Sequence, residues 1–301
     1  MSVARHSSLA RREAIEGYLF LLPWLLGFLF FTAGPIIASL AISLTDWQIG
    51  LPAKFIGLGN YVRMFTADKL FWQSLKVTAT YAAMALPLSV VFALLMALLL
   101  NHKVIGIDLF RTIFYLPAVT SGVAVALLWA WIFNNQFGVL NWLLSLIGIQ
   151  GPAWLLDTRW ALPAFTLMSL WGVGSLMIIY LASLQAISPE LYEAAKIDGA
   201  NGWRRLLNIT IPMLTPTILF NLVVGIIGVF QTFTASWIMT KGGPNYATYF
   251  YVLHLYNNAF SGTRMGYACA LAWVLFLIVL VLTGAVLRSS QYWVFYAGER
   301  E

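Results

Sequence analysis

The chain has 301 residues, 61% of them hydrophobic and only 9% charged, with a formal net charge of +6 and a mean hydropathy of +0.83. Soluble domains carry about 25% charged residues, so a water-soluble fold of this size has too little polar surface to cover itself, and the composition places the chain in a membrane. The single cysteine, Cys269, excludes a disulfide framework and Cys-based metal sites, and the scattered basic residues argue for membrane orientation rather than nucleic-acid binding.

Spans follow from where charge is absent, because an ionised side chain at the bilayer centre costs about 2.5–3.5 kcal/mol. Helices are expected near 18–41, 76–100, 112–133, 162–186, 215–239 and 266–287, each long enough to cross. The first follows Arg5, Arg11 and Arg12, but its apolar run exceeds the ~7–15 residues of a signal-peptide core, so it is read as a retained span. After the third, Val139 to Ile149 is too short to cross. Flanked by Gly138 and Gly151-Pro152, it is expected as an interfacial helix anchored by Trp142 and Trp154. The charge-free stretch 242–263 opens with Gly242-Gly243-Pro244 and holds Asn245, His254, Asn257 and Asn258, which predicts a structured loop. Cys269, beside Ala268, Ala270 and Leu271, reads as a small buried residue of the last span.

With the N-terminus inside, the inner segments carry ten of the 17 Lys and Arg residues: Arg5, Arg11, Arg12, Lys103, Arg111, Lys196, Arg204, Arg205, Arg288 and Arg300. The bias puts both termini in the cytoplasm.

Between the fourth and fifth spans lies a segment with its own helix punctuation. Ser188 can cap a helix that starts at Pro189, and Glu190 suits its positive end. Gly199 supplies a left-handed stop. Asn201 caps a second short helix that leads toward Ile209, Ile211 and Pro212. On this two-helix knob, Ala194 and Ala195 permit close approach of another surface, Tyr192 and Ile197 offer apolar contact, and Glu193, Lys196, Arg204 and Arg205 can set register by charge.

The spacing is more specific than the caps. Glu193-Ala194-Ala195, three residues, Gly199, nine residues, then Ile209-x-Ile211-Pro212 resembles the EAA motif of ATP-binding-cassette (ABC) importer permeases, with Ile211 in place of the motif's leucine. The resemblance extends along nearly the whole chain and points to the maltose-type carbohydrate branch. Tyr18 to Pro23, Gly34-Pro35, Ser43 to Trp47, Phe55 to Tyr61, Phe71-Trp72, Gly242-Gly243-Pro244 and Trp293 to Tyr296 are similar, in this order, to segments of those permeases.

The resemblance implies an all-α type I importer fold with six transmembrane helices, in the inner or plasma membrane of a prokaryote. It implies a second, homologous permease as heterodimer partner, two cytoplasmic ABC ATPase subunits that bind ATP and Mg, an extracellular or periplasmic solute-binding protein, and a sugar substrate. The chain lacks a Walker A pattern, so no cofactor is expected on it. The family's coupling residues map onto Tyr192, Glu193, Ala194, Ala195, Asp198, Gly199, Ile209 and Pro212. In organisation, a tail at 1–17 precedes the first span and outer loop at 18–72. A core permease domain at 73–290, with the coupling loop 188–212, precedes a tail at 291–301.

Polar residues inside spans face a bundle interior or a cavity. Trp171 can stack on a sugar ring and Gln231 and Thr232 can bond hydroxyls, whereas Gly, Ser and Thr also serve as packing contacts between helices. Counting back from the two loop motifs, the family's sugar contacts correspond to Met168, Trp171, Gly172, Ser175, Gly228, Val229 and Thr232. Only Gly172 keeps the maltose permease's residue type. The candidate substrate set is therefore Trp171, Gly172, Ser175, Gly228, Gln231 and Thr232.

Other functions fit less well. His6, His102 and His254 are too dispersed for a metal site, although His254 in an outer loop can be a contact for the binding protein. A membrane enzyme or an ion-coupled transporter needs ionisable residues within spans, and 77–101, 160–189 and 206–240 contain no His, Asp or Glu. A glycerol phosphate or other polyol derivative remains the alternative solute.

Overall fold

A computed structural model describes residues 8–102 and 104–296, so Arg5, His6, Lys103 and Arg300 lie outside the described residues. The described residues are helical apart from turns, loops and one isolated bridge between Thr45 and Phe55. Four helical runs among the described residues, 11–43, 69–100, 202–239 and 265–290, are long and apolar enough to cross a membrane, and two bent helix pairs supply up to two more spans.

Two compact units make up the chain. The first takes residues up to Thr66 together with 258–273. It holds α1 (Ser8–Phe28), α2 (Gly34–Ser43), α3 (Gly59–Thr66) and the start of α15 (Met265–Ser290). Between α1 and α2 the chain widens into a π turn, Leu29–Ala33, where the Gly34 N–H reaches back to the Leu29 carbonyl. The cause lies in the next residue. Pro35 has no N–H for the α-helical ladder, so the ladder shifts by one residue just before it. Asn60, 4% exposed, donates to the Ser43 and Thr45 carbonyls at 2.7 and 2.9 Å, and Tyr61 bonds the Ser43 hydroxyl. Residues read as motif fragments thus cap the end of α2. Nearby, the Trp47 carbonyl accepts from Gly266 N–H at 2.9 Å.

The second unit, residues 67–257 and 274 onward, is built on α4 (Lys69–Leu100). Asp68 caps it by accepting from the Leu70 and Phe71 N–H groups at 2.9 and 3.1 Å. The following elements are α5 (Ile107–Val119), α6 (Gly122–Ile132), α7 (Val139–Leu146), α8 (Ala161–Trp171) and α9 (Gly174–Gln185). They continue with α10 (Pro189–Ile197), α11 (Gly202–Arg205), α12 (Ile211–Phe230), α13 (Thr234–Met239) and α14 (Tyr251–Tyr256).

Helix α4 packs against α8, α9, α12 and α14. One apolar cluster joins it to α9 and α12 through Ala93, Ala97, Met177, Tyr180, Leu184 and Leu214, and a second gathers Val77, Tyr81, Ala85, Phe165 and Phe250. Between helices in lipid, close van der Waals fit rather than apolar transfer supplies the attraction. The chain meets that need with small residues: a Cβ on Gly225 would strike the Leu86 side chain, and one on Gly174 would lie 2.7 Å from the Phe114 carbonyl oxygen.

Three expected spans are not single rods. The segment expected as 112–133 is α5 and α6, bent by 100° at Thr120-Ser121. That expected as 162–186 is α8 and α9, bent by 46° at Gly172-Val173. That expected as 215–239 begins earlier and is interrupted at 231–233, between α12 and α13. The short helix α7 and the non-spanning loop 242–263, with α14 and a π turn at Asn257–Ser261, lie where the sequence puts them.

Candidate coupling loop and translocation path

The knob between α9 and α12 is held by its own backbone chemistry. The Ser188 hydroxyl accepts from Glu190 N–H at the start of α10, and the Asn201 side chain accepts from Arg204 N–H at 2.9 Å at the start of α11. At the end of α10, Gly199 takes φ +75°, with its N–H bonded to the Lys196 carbonyl at 3.0 Å and the Ala200 N–H to that of Ala195 at 2.8 Å. This pair of bonds is a Schellman motif, which satisfies the last carbonyls of α10 and turns the chain sharply.

The knob is joined to α12 through a π turn, Leu206–Thr210, closed by Ile211 N–H on the Leu206 carbonyl. As in the first unit, a proline follows. Pro212 has no N–H to offer the Asn208 carbonyl, and the ladder slips just ahead of it. Ile209 packs partly buried against the α4–α9–α12 cluster.

Tyr192, expected as an apolar contact for a partner, turns inward instead. Its hydroxyl meets the Thr210 hydroxyl at 2.9 Å and its ring packs on the same cluster. It ties α10 to the base of α12 and borders a recess of about 320 Å³ with Asn101, His102 and Arg205. Glu193, Ala194, Lys196, Asp198 and Gly199 are exposed, Ala195 is half-buried, and Ile197 is 87% exposed. The knob therefore presents a free face with small, apolar and charged residues side by side.

The candidate substrate residues cluster at helix breaks. Trp171 ends α8 and Gly172 forms its C-cap; Gln231 is the C-cap of α12. Thr232 spends its hydroxyl on the Val229 carbonyl at 2.8 Å. Gly172, Ser175, Gly228 and Gln231 are exposed. A Cβ on Gly228 meets nothing within 4 Å, and one on Gly172 meets only the Ser169 carbonyl oxygen at 3.6 Å. These two glycines are thus free of the packing role that Gly174 and Gly225 play. Met168 and Val229 touch one apolar cluster, so the two breaks flank common ground. The six residues are not gathered into one cavity, however. Trp171 lines an apolar recess of about 430 Å³ with Trp129, Phe114 and Met177, apart from Gly228 and Gln231.

Three polar features were missed or misplaced by sequence reasoning. Asn221, fully buried, faces Tyr180 across α9 and α12, yet neither side chain makes a hydrogen bond of standard geometry. One helical turn away Ser183 and Thr217 bond at 2.7 Å. The Trp129 indole N–H is buried and unpartnered.

The third is His254, 3% exposed, which corrects its expected role as a surface contact. Its Nε2 lies 2.9 Å from Asp68 Oδ2 and its Nδ1 3.3 Å from the Tyr249 hydroxyl, which also accepts from Asn257. The neutral ring satisfies both contacts by donating from Nε2 to the carboxylate and accepting from the tyrosine. Burial lowers its pKa below the ordinary 6.5, with Asp68 opposing, and burial raises that of Tyr249, so that hydroxyl stays a donor. Among the described residues, no group of three or more His, Cys, Asp or Glu side chains is arranged to hold a metal ion.

Broken apolar helices around one central span and an exposed, capped knob between the fourth and fifth spans define a membrane permease. The chain belongs to the family of binding-protein-dependent transport system inner membrane components, whose model matches residues 89–294. It is 45% identical to the probable ABC transporter permease protein YesP of Bacillus subtilis (strain 168), over 97% of this chain and 95% of that one. It is 38% identical to the lactose transport system permease protein LacF of Rhizobium radiobacter, over 94% and 96%. Its fold superimposes with a TM-score of 0.83, at 26% identity over 95% and 97% of the two chains, on a subunit in the crystal structure of a bacterial alginate ABC transporter in complex with an alginate pentasaccharide-bound periplasmic protein. It is thus an ABC transporter permease with the type I importer fold.

Proposed function

We propose that the chain translocates a sugar, a di- or oligosaccharide, into the cytoplasm as one of two homologous permeases, driven by two ABC ATPases and supplied by a solute-binding protein. The observation that carries the ATP-driven half is the Tyr192–Thr210 bond together with the Schellman stop at Gly199. A knob stiffened in this way and tied to the base of α12 transmits closure of an ATPase dimer into rigid-body rocking of the spans. ATP and Mg belong to the partner ATPase. The positive-inside bias supports a cytoplasmic position for the knob and both termini.

The sugar half rests on the solute chemistry of the spans. Trp171 offers a flat apolar face, and Gly172, Ser175, Gly228 and Gln231 are exposed at helix breaks with no ionised side chain among them. A charged solute requires a counter-charge that these spans do not carry. The lactose permease among its relatives supports the same reading. Because these residues lie apart on this chain, the second permease completes the binding site.

The test is reconstitution of the chain with its partner permease, ATPases and binding protein in liposomes, followed by ATPase measurement across mono-, di- and oligosaccharides and glycerol phosphates. Stimulation by one or a few sugars is expected; stimulation by glycerol phosphates alone would replace the sugar with the polyol alternative.

A further inference from the structure

The link between α6 and α8 encloses a cup of about 660 Å³ lined by Asn135, Gln136, Asn141, Trp142, Ser145 and Gln150 among others, a size ordinary for small-ligand sites. Its frame is fixed by one side chain. The Asn141 amide nitrogen donates to the Asn135 carbonyl at 3.1 Å and the Pro152 carbonyl at 3.3 Å, and its oxygen accepts from the Trp154 indole at 2.7 Å. Gly151 lies so close to Asn141 that a Cβ there would overlap it. Trp154 in turn packs on Phe133 and Trp160, so the cup is rigidly seated on the end of the third span. With its frame residue fully engaged, the cup offers a ligand the exposed side-chain amides of Gln136 and Gln150 and the 59% exposed indole of Trp142.

No ionised group lines this cup. Amides donate and accept at once, which suits vicinal hydroxyls that do the same, and an indole adds a flat apolar face with one N–H. A protein partner is ordinarily met by an apolar centre with charged residues at the rim; here the polar groups are uncharged and lie inside a concavity. The cup also sits at the end of the bundle opposite the coupling knob, because 133–160 joins the third and fourth spans and 186–201 the fourth and fifth.

We propose that the cup is a subsite for a neutral oligosaccharide, holding sugar units that trail outside the spans while the leading units occupy the helix breaks. This inference rests on the sugar reading above. It predicts that the cup matters in proportion to chain length, since only units beyond those held at the breaks occupy it.

The experiment compares the wild-type complex with Trp142→Ala, Gln150→Leu and the double variant in liposomes, using malto-, cello- and galacto-oligosaccharides from disaccharide to hexasaccharide. Both substitutions are at exposed positions, which leaves the frame around Asn141 intact. For the transported series, the double variant is expected to raise KM for the hexasaccharide about tenfold, the effect of losing one or two net hydrogen bonds, with kcat, the disaccharide KM and the half-stimulating binding-protein concentration unchanged. An equal rise at every length, accompanied by a higher half-stimulating concentration of binding protein, would make the cup a docking surface for that protein and overturn the proposal. An unchanged KM at all lengths would overturn it as well. If the wild-type complex carries no saccharide, the sugar reading itself falls and takes the subsite with it.

Discussion

Gly199 stands at φ +75° with nothing near the position of a Cβ, so substitution there tests backbone conformation alone. Alanine meets only the left-handed penalty of about 1–2 kcal/mol, and transport at reduced rate is expected. Proline, confined near φ −65°, cannot make the turn. Gly199→Pro is expected to insert normally yet hydrolyse ATP without transport, and normal uptake by that variant would refute the coupling role.

At His254 the folded state binds protons less readily than the unfolded chain because burial lowers its pKa. Stability from this site is therefore complete above pH 6.5 and declines as pH falls through the window below it. The melting temperature of purified protein should drop as pH falls below 6.5, and His254→Gln should flatten that slope while lowering the plateau. A slope unchanged in the variant would place the titration elsewhere. The caps at Ser188, Asn201 and Gly199 were readable because they obey rules spanning a few residues. The Tyr192–Thr210 and Asp68–His254 contacts join positions 18 and 186 residues apart, and no local pattern announces them.

The helices show which properties a linear scan of charge can carry. Runs free of ionised residues located the candidate spans of the described residues, because the bilayer penalises charge wherever it lies along a rod. They are silent about bends at Thr120-Ser121 and Gly172-Val173, which depend on hydrogen bonds lost and on neighbours met. The candidate substrate residues were likewise found as a set of polar and small residues, but which glycines pack and which lie open required the neighbouring helix. That distinction gives a test by thermal unfolding in nanodiscs. Gly174→Ala forces its methyl against the backbone of Phe114 and Tyr115, while Gly225→Ala meets only the movable end of Leu86. The first should cost about 2–3 kcal/mol and the second about 1 kcal/mol, with Gly228→Ala near neutral. Equal losses at all three would remove the packing assignment.

As a whole, the molecule leaves much apolar surface uncovered. None of the first span's most apolar window is buried, and Phe20 and Phe31 are 86% and 85% exposed, as lipid or a second permease requires. Outside the spans the same reasoning applies to the knob, where Ile197 and Trp203 are 87% and 67% exposed. Exposed apolar residues on a polar projection mark a contact face. Ile197→Glu is expected to leave insertion and pairing of the permeases intact and to weaken retention of the ATPase subunits on affinity purification; full retention would put the contact elsewhere.

The π turn at Leu206–Thr210 has a consequence for how such a chain can vary. It contains one residue more than an α-helical turn needs, and each residue of an α-helix advances the chain by about 100° around its axis. Deleting exposed Asn208 alone would close this turn as α-helix with the knob's azimuth kept, whereas deleting exposed Leu207 as well, with no spare residue left to absorb the loss, would rotate every side chain of the knob by about a quarter turn about that axis. The doubly deleted protein should enter the membrane and fold, yet present the knob at the wrong azimuth for the proposed ATPase contact. Length in this stretch is therefore a phase setting, and a screen for insertion alone would never detect that it had been lost.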